Sequence, residues 1–335
     1  MCPSHLKRIR LAEIRARTGH EILAHPTIAH LKDGKFRIIN RTVAGDAPKD
    51  FFQVYEHGAA HRSAISSWPK YIAKVGHKWY PNESITEHLL TRIGQLLQLD
   101  IADSRLMFVR GQLRFLSRYF LRADESLIHG AEIFAGHLAD EQFVREVEEK
   151  KMSRDVFTFQ VVEEAIKSRF PVQADVILPA FVRMLGFDAV VGNNDRHYFN
   201  WGVVTDLKAK RSARFAPIYD TARALFWDGP EWKLEQVDQN KRRVEFVRKY
   251  VEECMPKTGW DGKSDLNHFG LVQLIANERP TLAPVLKSLC TKDLAARVNR
   301  LIGTEFASLF SPRRREFILE CLNQRVHSYV QAVGV

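Results

Sequence analysis

Cysteine is scarce in this sequence and thinly spread. Cys2, Cys254, Cys290 and Cys321 are the only four in 335 residues, and no C-x-x-C pair occurs. Neither a zinc knuckle nor a disulfide framework is expected, and a reducing cytoplasm is the simplest compartment. Long apolar runs are missing too: no stretch of about eighteen apolar residues exists, so no membrane-spanning helix is expected. The basic stretch from Met1 to His20 lacks the apolar segment of a secretory signal. There is no internal repeat and no low-complexity tract. Acidic residues are in deficit, with 40 Asp and Glu against 50 Lys and Arg and a formal charge of +10. A basic surface favours anionic partners (nucleotides, nucleic acid, acidic proteins) without choosing among them. What remains is ordinary globular composition, 45% hydrophobic and 27% charged, which argues against wholesale disorder. The length suits two domains or one two-lobed unit.

Residues 1–30 read as a basic, partly amphipathic helix followed by a loop, because Leu6, Ile9 and Ile14 alternate with Lys7, Arg8, Arg10, Arg15 and Arg17. Strand patterns follow at Lys35–Ile39, Phe51–Tyr55 and Tyr71–Val75, with Gly58 and Gly76 as breaks. Asn82 is a candidate N-cap for a helix in which Ile85, Leu89, Ile93, Leu96 and Leu97 recur at helical spacing. Arg105–Val109 and Leu113–Leu121 read as two strands joined at Arg110-Gly111-Gln112. Beyond them helix dominates. Ala139–Arg154 is charged and expected to be exposed, whereas Val172–Val191 is apolar enough for a core, with Pro179 either kinking it or marking its start. A hairpin of Trp201–Val204 and Ala213–Tyr219 interrupts the helices, and Ser311-Pro312 opens a final one. The expected class is α+β: a small β-rich lobe over residues 1–121 and a larger helical lobe over 122–335.

The densest chemistry lies in Gly192-Asn193-Asn194-Asp195-Arg196-His197-Tyr198-Phe199-Asn200. Asp195 and Asn200 have the D-x-x-x-x-N spacing of a phosphotransferase catalytic loop, where the carboxylate accepts a hydroxyl proton and the amide oxygen holds magnesium. A hairpin returns the chain to the end it left from, so Asp220 in Pro217-Ile218-Tyr219-Asp220 should lie beside Asn200 and share Mg²⁺ with it. Upstream, Lys74 is a charge in an otherwise apolar strand and needs a partner or an anionic ligand. Glu83 and Glu87 share one face of the following helix, and Glu87 is the one further in. Gly58-Ala59-Ala60-His61-Arg62-Ser63 lies between two strands, where backbone N–H groups with Arg62 could cover phosphates; an ordinary turn explains it equally well.

Together these residues resemble the HipA-like kinases, the Ser/Thr protein kinase toxins of bacterial toxin–antitoxin modules. The likeness is strongest over Gly192–Trp227 and extends thinly to Phe51. It implies a compact bilobal kinase-like fold with ATP and Mg²⁺ as cofactors. It also implies a protein substrate with a serine or threonine acceptor and an antitoxin partner, with nucleic acid reached only through that partner. On that resemblance Asp195 is the catalytic aspartate, and Asn200 and Asp220 are the metal ligands. His197 is the histidine that buttresses the loop, Lys74 the phosphate-binding lysine and Glu87 its helix partner. Ser117 and Tyr119 fall at the adenine-binding hinge, and Gly58, Ala59, Ala60, His61 and Arg62 at the phosphate-binding loop. Tyr55-Glu56-His57 replaces the serine that family members often carry before that glycine, so its autophosphorylation is not expected here. Asp220-Thr221-Ala222-Arg223 shows no D-F-G motif, as is usual in this branch.

Two other readings use the same residues. A phosphoinositide or small-molecule kinase also carries Asp195-Arg196-His197-x-x-Asn200, and a basic N-terminal helix suits an anionic membrane. A nucleic-acid-associated pseudokinase would use Arg313-Arg314-Arg315, three cations at a helix N-terminus that an anionic partner would relieve. The intact set of Lys74, Asp195, Asn200 and Asp220 argues against a dead kinase.

Overall fold

The computed structural model describes residues 27–39, 49–58, 61–76, 81–263, 265–290 and 293–334. The helix expected within residues 1–30 lies outside them, apart from 27–30.

Six strands form one sheet: β1 (His30–Leu31), β2 (Phe36–Ile39), β3 (Lys49–Val54), β4 (Lys70–Lys74), β5 (Ser104–Val109) and β6 (Gln112–Arg118), in the order β1-β5-β6-β4-β3-β2. Every pair is antiparallel except β1 with β5. Arg110 and Gly111, both at positive φ, make the tight turn between β5 and β6. One face of the sheet packs its own small core, including Phe36, Phe52, Tyr71 and Leu116. The other receives helix α1 (Asn82–Leu96), whose Ile85, Leu89 and Ile93 are fully buried. Pro81, not Asn82, is the N-cap, and Asn82 is the first helical residue.

The rest is mostly helical. A strand absent from the sequence reading, β7 (Glu125–His129), pairs with β8 (Gly202–Asp206), which pairs with β9 (Arg214–Phe215). β7 is half-buried along its length, so it lacks the alternation that marks a strand. Gly202 lets β7 approach: a Cβ there would lie 2.4 Å from the Ile128 carbonyl oxygen. Helices α2 (Gly130–Leu138) and α3 (Glu141–Glu149), then α4 (Ser153–Val156) and α5 (Phe159–Arg169), lead to α6 (Ala174–Val191). The single helix expected over 139–154 is thus two. α3 is amphipathic rather than wholly exposed, with Val144 and Val147 buried. The central α6 runs through Pro179. It packs against α9 (His268–Glu278), α10 (Ala283–Lys287) and the final helix, α12 (Pro312–Val333). Helices α7 (Glu231–Gln239), α8 (Arg243–Glu253) and α11 (Leu294–Thr304) complete the lobe. Among the described residues no helix is long and apolar enough to cross a membrane.

The two lobes are also joined by backbone. The Ala102 N–H donates to the Ile218 carbonyl at 2.9 Å, and the Ile218 N–H donates to the Asp100 carbonyl at 2.8 Å, which ties the segment after α1 to the strand end before Asp220.

At the start of the final helix, two of the three cations read as a docking site for an outside anion already have partners within the chain. Ser311 caps the helix by accepting from the Arg314 N–H. Arg314 is buried, pairs with Glu231 at 2.5 Å and donates to the carbonyls of Phe226 and Gly229. Arg313 pairs with Glu235 and Asp238. The relieving anions are internal.

Two outcomes follow for stability. Arg314→Met strands the buried Glu231 carboxylate, so urea denaturation should show a loss of about 3 kcal/mol or more; a loss below about 1 kcal/mol would contradict the pairing. His88, on α1, has Nδ1 2.8 Å from Ser104 Oγ and its ring 5.6 Å from Phe306. Burial, with Arg92 adding to it, pushes its pKa from 6.5 down to about 4. The unfolded chain therefore takes up a proton there that the folded chain refuses, and stability falls as pH is lowered from 6.5 towards 4. His88→Gln should make denaturation midpoints less sensitive to pH across that window than in the wild type.

Candidate active site

The end of α6 fixes the loop that follows. Gly192 caps the helix at φ 77°, and its would-be Cβ faces the Arg325 guanidinium at 3.0 Å. The loop then wraps around Arg196. This side chain is 2% exposed. Its Nε and Nη2 donate to the two Asp188 oxygens at 2.9 and 3.1 Å. Its Nη1 donates to the backbone carbonyls of Asn200 at 2.8 Å and Tyr219 at 2.6 Å. Asn193 adds a third bond to Asp188, at 2.9 Å. One guanidinium thus joins α6, the loop and the residue before Asp220, and Asn200 and Asp220 line the same cavity. Arg196 is the buried buttress of the loop, and His197, which lines the cavity, adds a bond within it by accepting from the Phe199 N–H at Nδ1, 3.3 Å away. Burial lowers the His197 pKa, with Asp195 pulling it back.

A cavity of about 970 Å³ lies between the sheet and the helices. Lys74, Glu87, Ser117, Tyr119, Asp195, His197, Asn200 and Asp220 all line it. Lys74 ends β4 and points its ammonium at Glu87 Oε1 (2.7 Å) and Asp220 Oδ1 (2.9 Å). Glu87, not Glu83, is the helix partner. Burial alone would push the Lys74 pKa down; the two carboxylates, Asp220 foremost, reverse this and hold it above the usual lysine range. Burial opposes ionisation of Asp220 as well, but Lys74 and Lys49 hold its pKa well below the usual carboxylate range. Lys49, at the start of β3, is 3.8 Å from Asp220 Oδ2. Asp220 itself has φ 55°, a left-handed conformation that aspartate tolerates better than most side chains.

Asp195 stands apart from this cluster. Burial raises its pKa, countered first by Arg223, whose Nε is 3.2 Å from Oδ2. The Arg223 guanidinium also lies over the Trp227 ring, 5.3 Å from its centre. The Asn200 amide nitrogen donates to the Asp195 carbonyl at 2.8 Å, so its oxygen is the atom offered to a cation. Among the described residues no three His, Cys, Asp or Glu side chains gather as a metal centre. Asn200 and Asp220 offer hard oxygens of the kind Mg²⁺ takes, and these two residues would hold it.

The far wall of the cavity is apolar and aromatic: Ile72, Leu127, Tyr119, Phe120 and Tyr219. The Tyr219 hydroxyl donates to the Phe199 carbonyl at 3.1 Å, and His129 Nδ1 lies 3.0 Å from that hydroxyl.

The structure does not bring Gly58, His61 and Arg62 to this cavity, and Ala59 and Ala60 lie outside the described residues. The register explains why. Lys49 pairs with Lys74 and Gln53 with Lys70, so the connection through Gly58 leaves from the strand ends opposite Lys74. The connection between β2 and β3 joins strands at the Lys74 end; its residues, 40–48, are outside those described. The expectation about Tyr55-Glu56-His57 falls with this correction.

Sequence reasoning assigned no role to Asp188, Arg196, Lys49 or Arg223. Asp188 had a signal, an acid in an otherwise apolar helix. Arg196→Met would leave Asp188 buried and unpaired, so a stability loss of about 3–5 kcal/mol is expected in denaturant titration, with Arg196→Lys failing to rescue it because a single ammonium cannot serve four acceptors in that geometry.

The chain matches the family described as the HipA-like C-terminal domain over residues 42–268, more than half of its length. No curated protein matches it. Among solved structures it is similar to the Helicobacter pylori proinflammatory kinase CtkA, with a TM-score of 0.70 at 15% identity over 92% of this chain and 99% of that one. At that identity the likeness speaks for the fold. HipA of Shewanella oneidensis MR-1, solved with HipB and its operator DNA, gives a TM-score of 0.48 at 14% identity over 98% of this chain and 70% of that one.

Proposed function

The chain belongs to the HipA-like C-terminal domain family, and from that premise we propose that it is an ATP- and Mg²⁺-dependent protein kinase that phosphorylates serine or threonine. The observation that carries this reading is the junction of Lys74, Glu87 and Asp220, made by residues 146 positions apart at the extremes and beside a loop presenting Asp195 and Asn200.

The parts divide the work by their chemistry. The apolar wall of Ile72, Leu127 and Tyr219 accepts a flat base, beside Ser117 and Tyr119 at the end of β6. Lys74 and Lys49 are the cations for the phosphate chain, with Glu87 fixing the direction of Lys74. Asn200 and Asp220 would hold Mg²⁺, which when bound offsets phosphate charge. Asp195 takes the proton of the acceptor hydroxyl as its oxygen bonds to the γ-phosphorus and the bond to the β-phosphate oxygen breaks, yielding phosphoprotein and ADP. Most of the acceleration comes from alignment and charge neutralisation.

Transfer of labelled γ-phosphate to the chain itself and to cell lysate tests the reading, with acid hydrolysis identifying the phosphorylated residue. Asp195→Asn should lower transfer by about a hundredfold or more while nucleotide still quenches Trp227 fluorescence. Full activity in that variant would end the assignment, and label found in lipid would favour the phosphoinositide reading. Lys74→Met should weaken the fluorescence response to ATP more than that to adenosine.

A further inference from the structure

Helix α1 carries Glu87, and its opposite flank is gripped by a segment that the proposed phosphotransfer does not use. At Glu305, just beyond α11, the two carboxylate oxygens accept from Arg92 Nε and Nη2 at 2.9 Å each. Arg92 also bonds Gln95, whose amide donates to Asp103 at 3.0 Å. Arg297, on α11, donates from Nη2 to the carbonyl of Leu96, the last residue of α1, at 2.8 Å. Phe306 sets its ring 5.6 Å from that of His88. The three contacted positions, 88, 92 and 96, are four apart and form one stripe along the helix. Glu87 leaves the helix on another side, towards Lys74.

The division of labour follows from the kinds of force involved. Ile85, Leu89 and Ile93 bury the inner face of α1, but apolar contact is non-directional and tolerates rotation and sliding. A two-pronged guanidinium–carboxylate pair is directional. A cation on the C-terminal carbonyl of a helix is favoured by its dipole and fixes its axial position. Because β4 is anchored in the sheet, the 2.7 Å Lys74–Glu87 bond depends on where α1 stands.

We propose that the segment Arg297–Phe306 is a clasp that sets the rotation and height of α1, making Arg92, Glu305 and Arg297 positioning residues for the Lys74–Glu87 pair. The inference rests on the reading of Lys74 as the phosphate-binding cation. The clasp lies beyond residues 42–268, so it is built from chain outside the matched family segment. It makes the helical lobe, and not the sheet alone, responsible for the geometry of the lysine.

The test is a charge swap in the full chain: Glu305→Arg, Arg92→Glu and the double variant, with Glu305→Gln as a milder version. Hydrogen exchange over residues 88–96 and steady-state kinetics with ATP varied are the two readouts. Each single reversal should speed exchange across α1 and lower kcat/KM for ATP about five-fold, leaving KM for the acceptor unchanged. The double swap should restore protection and most of the activity. Unchanged exchange in Glu305→Arg, or a double variant no better than the singles, would overturn the clasp. An inactive wild type whose α1 exchange still responds to the swap would instead count against the phosphotransfer reading and uphold the clasp.

Discussion

The site depends first on a buried ion pair. Arg196 and Asp188 are both almost fully excluded from solvent, a placement that costs several kcal/mol per ion unless every donor and oxygen is answered. Here the answers come from structure that has to be organised in any case. Two guanidinium nitrogens take the carboxylate, the third takes the carbonyls of Asn200 and Tyr219, and Asn193 completes Asp188. Each bond that lowers the cost of burial also fixes one segment of the loop. Positional precision at Asn200 and Asp220 is thus a by-product of satisfying a charge.

The same accounting explains the cleft. Lys74 and Asp220 are each unfavourable where they lie and each stabilises the other's charged form, with Lys49 and Glu87 on the flanks. Such a cluster is polar and lines an open cavity. At the final helix part of the basic excess is answered within the chain, Arg313 by Glu235 and Asp238 and Arg314 by Glu231.

Much of this was legible in the sequence, and the failures have physical causes. The strand at Lys74, the helix of Glu87, the Asp195–Asn200 loop and the return to Asp220 were carried by alternation, helical spacing and hairpin geometry, all local rules. The phosphate-loop assignment failed because it used proximity in sequence where strand direction decides. Successive antiparallel connections lie at opposite ends of a sheet, so the turn before β4 is the far one from a lysine at its end. Arg196 was missed because only the acid eight residues earlier, Asp188, says that this side chain is drawn inside. The Arg314 pairing spans 83 residues, and no local pattern reports such a contact. β7 was missed because a strand half-buried at every position carries no period.

Arg325 has a consequence of its own. This cation, wholly buried, bonds the carbonyls of Ala189 and Val251 at 3.0 and 3.4 Å and presses against Gly192. It is held by the negative ends of two helices. The ground under the Asp195 loop is therefore supplied from the last helix. On the ribosome, a nascent chain that has already emitted every proposed reactive side chain still lacks this support until residue 325 has cleared the exit tunnel.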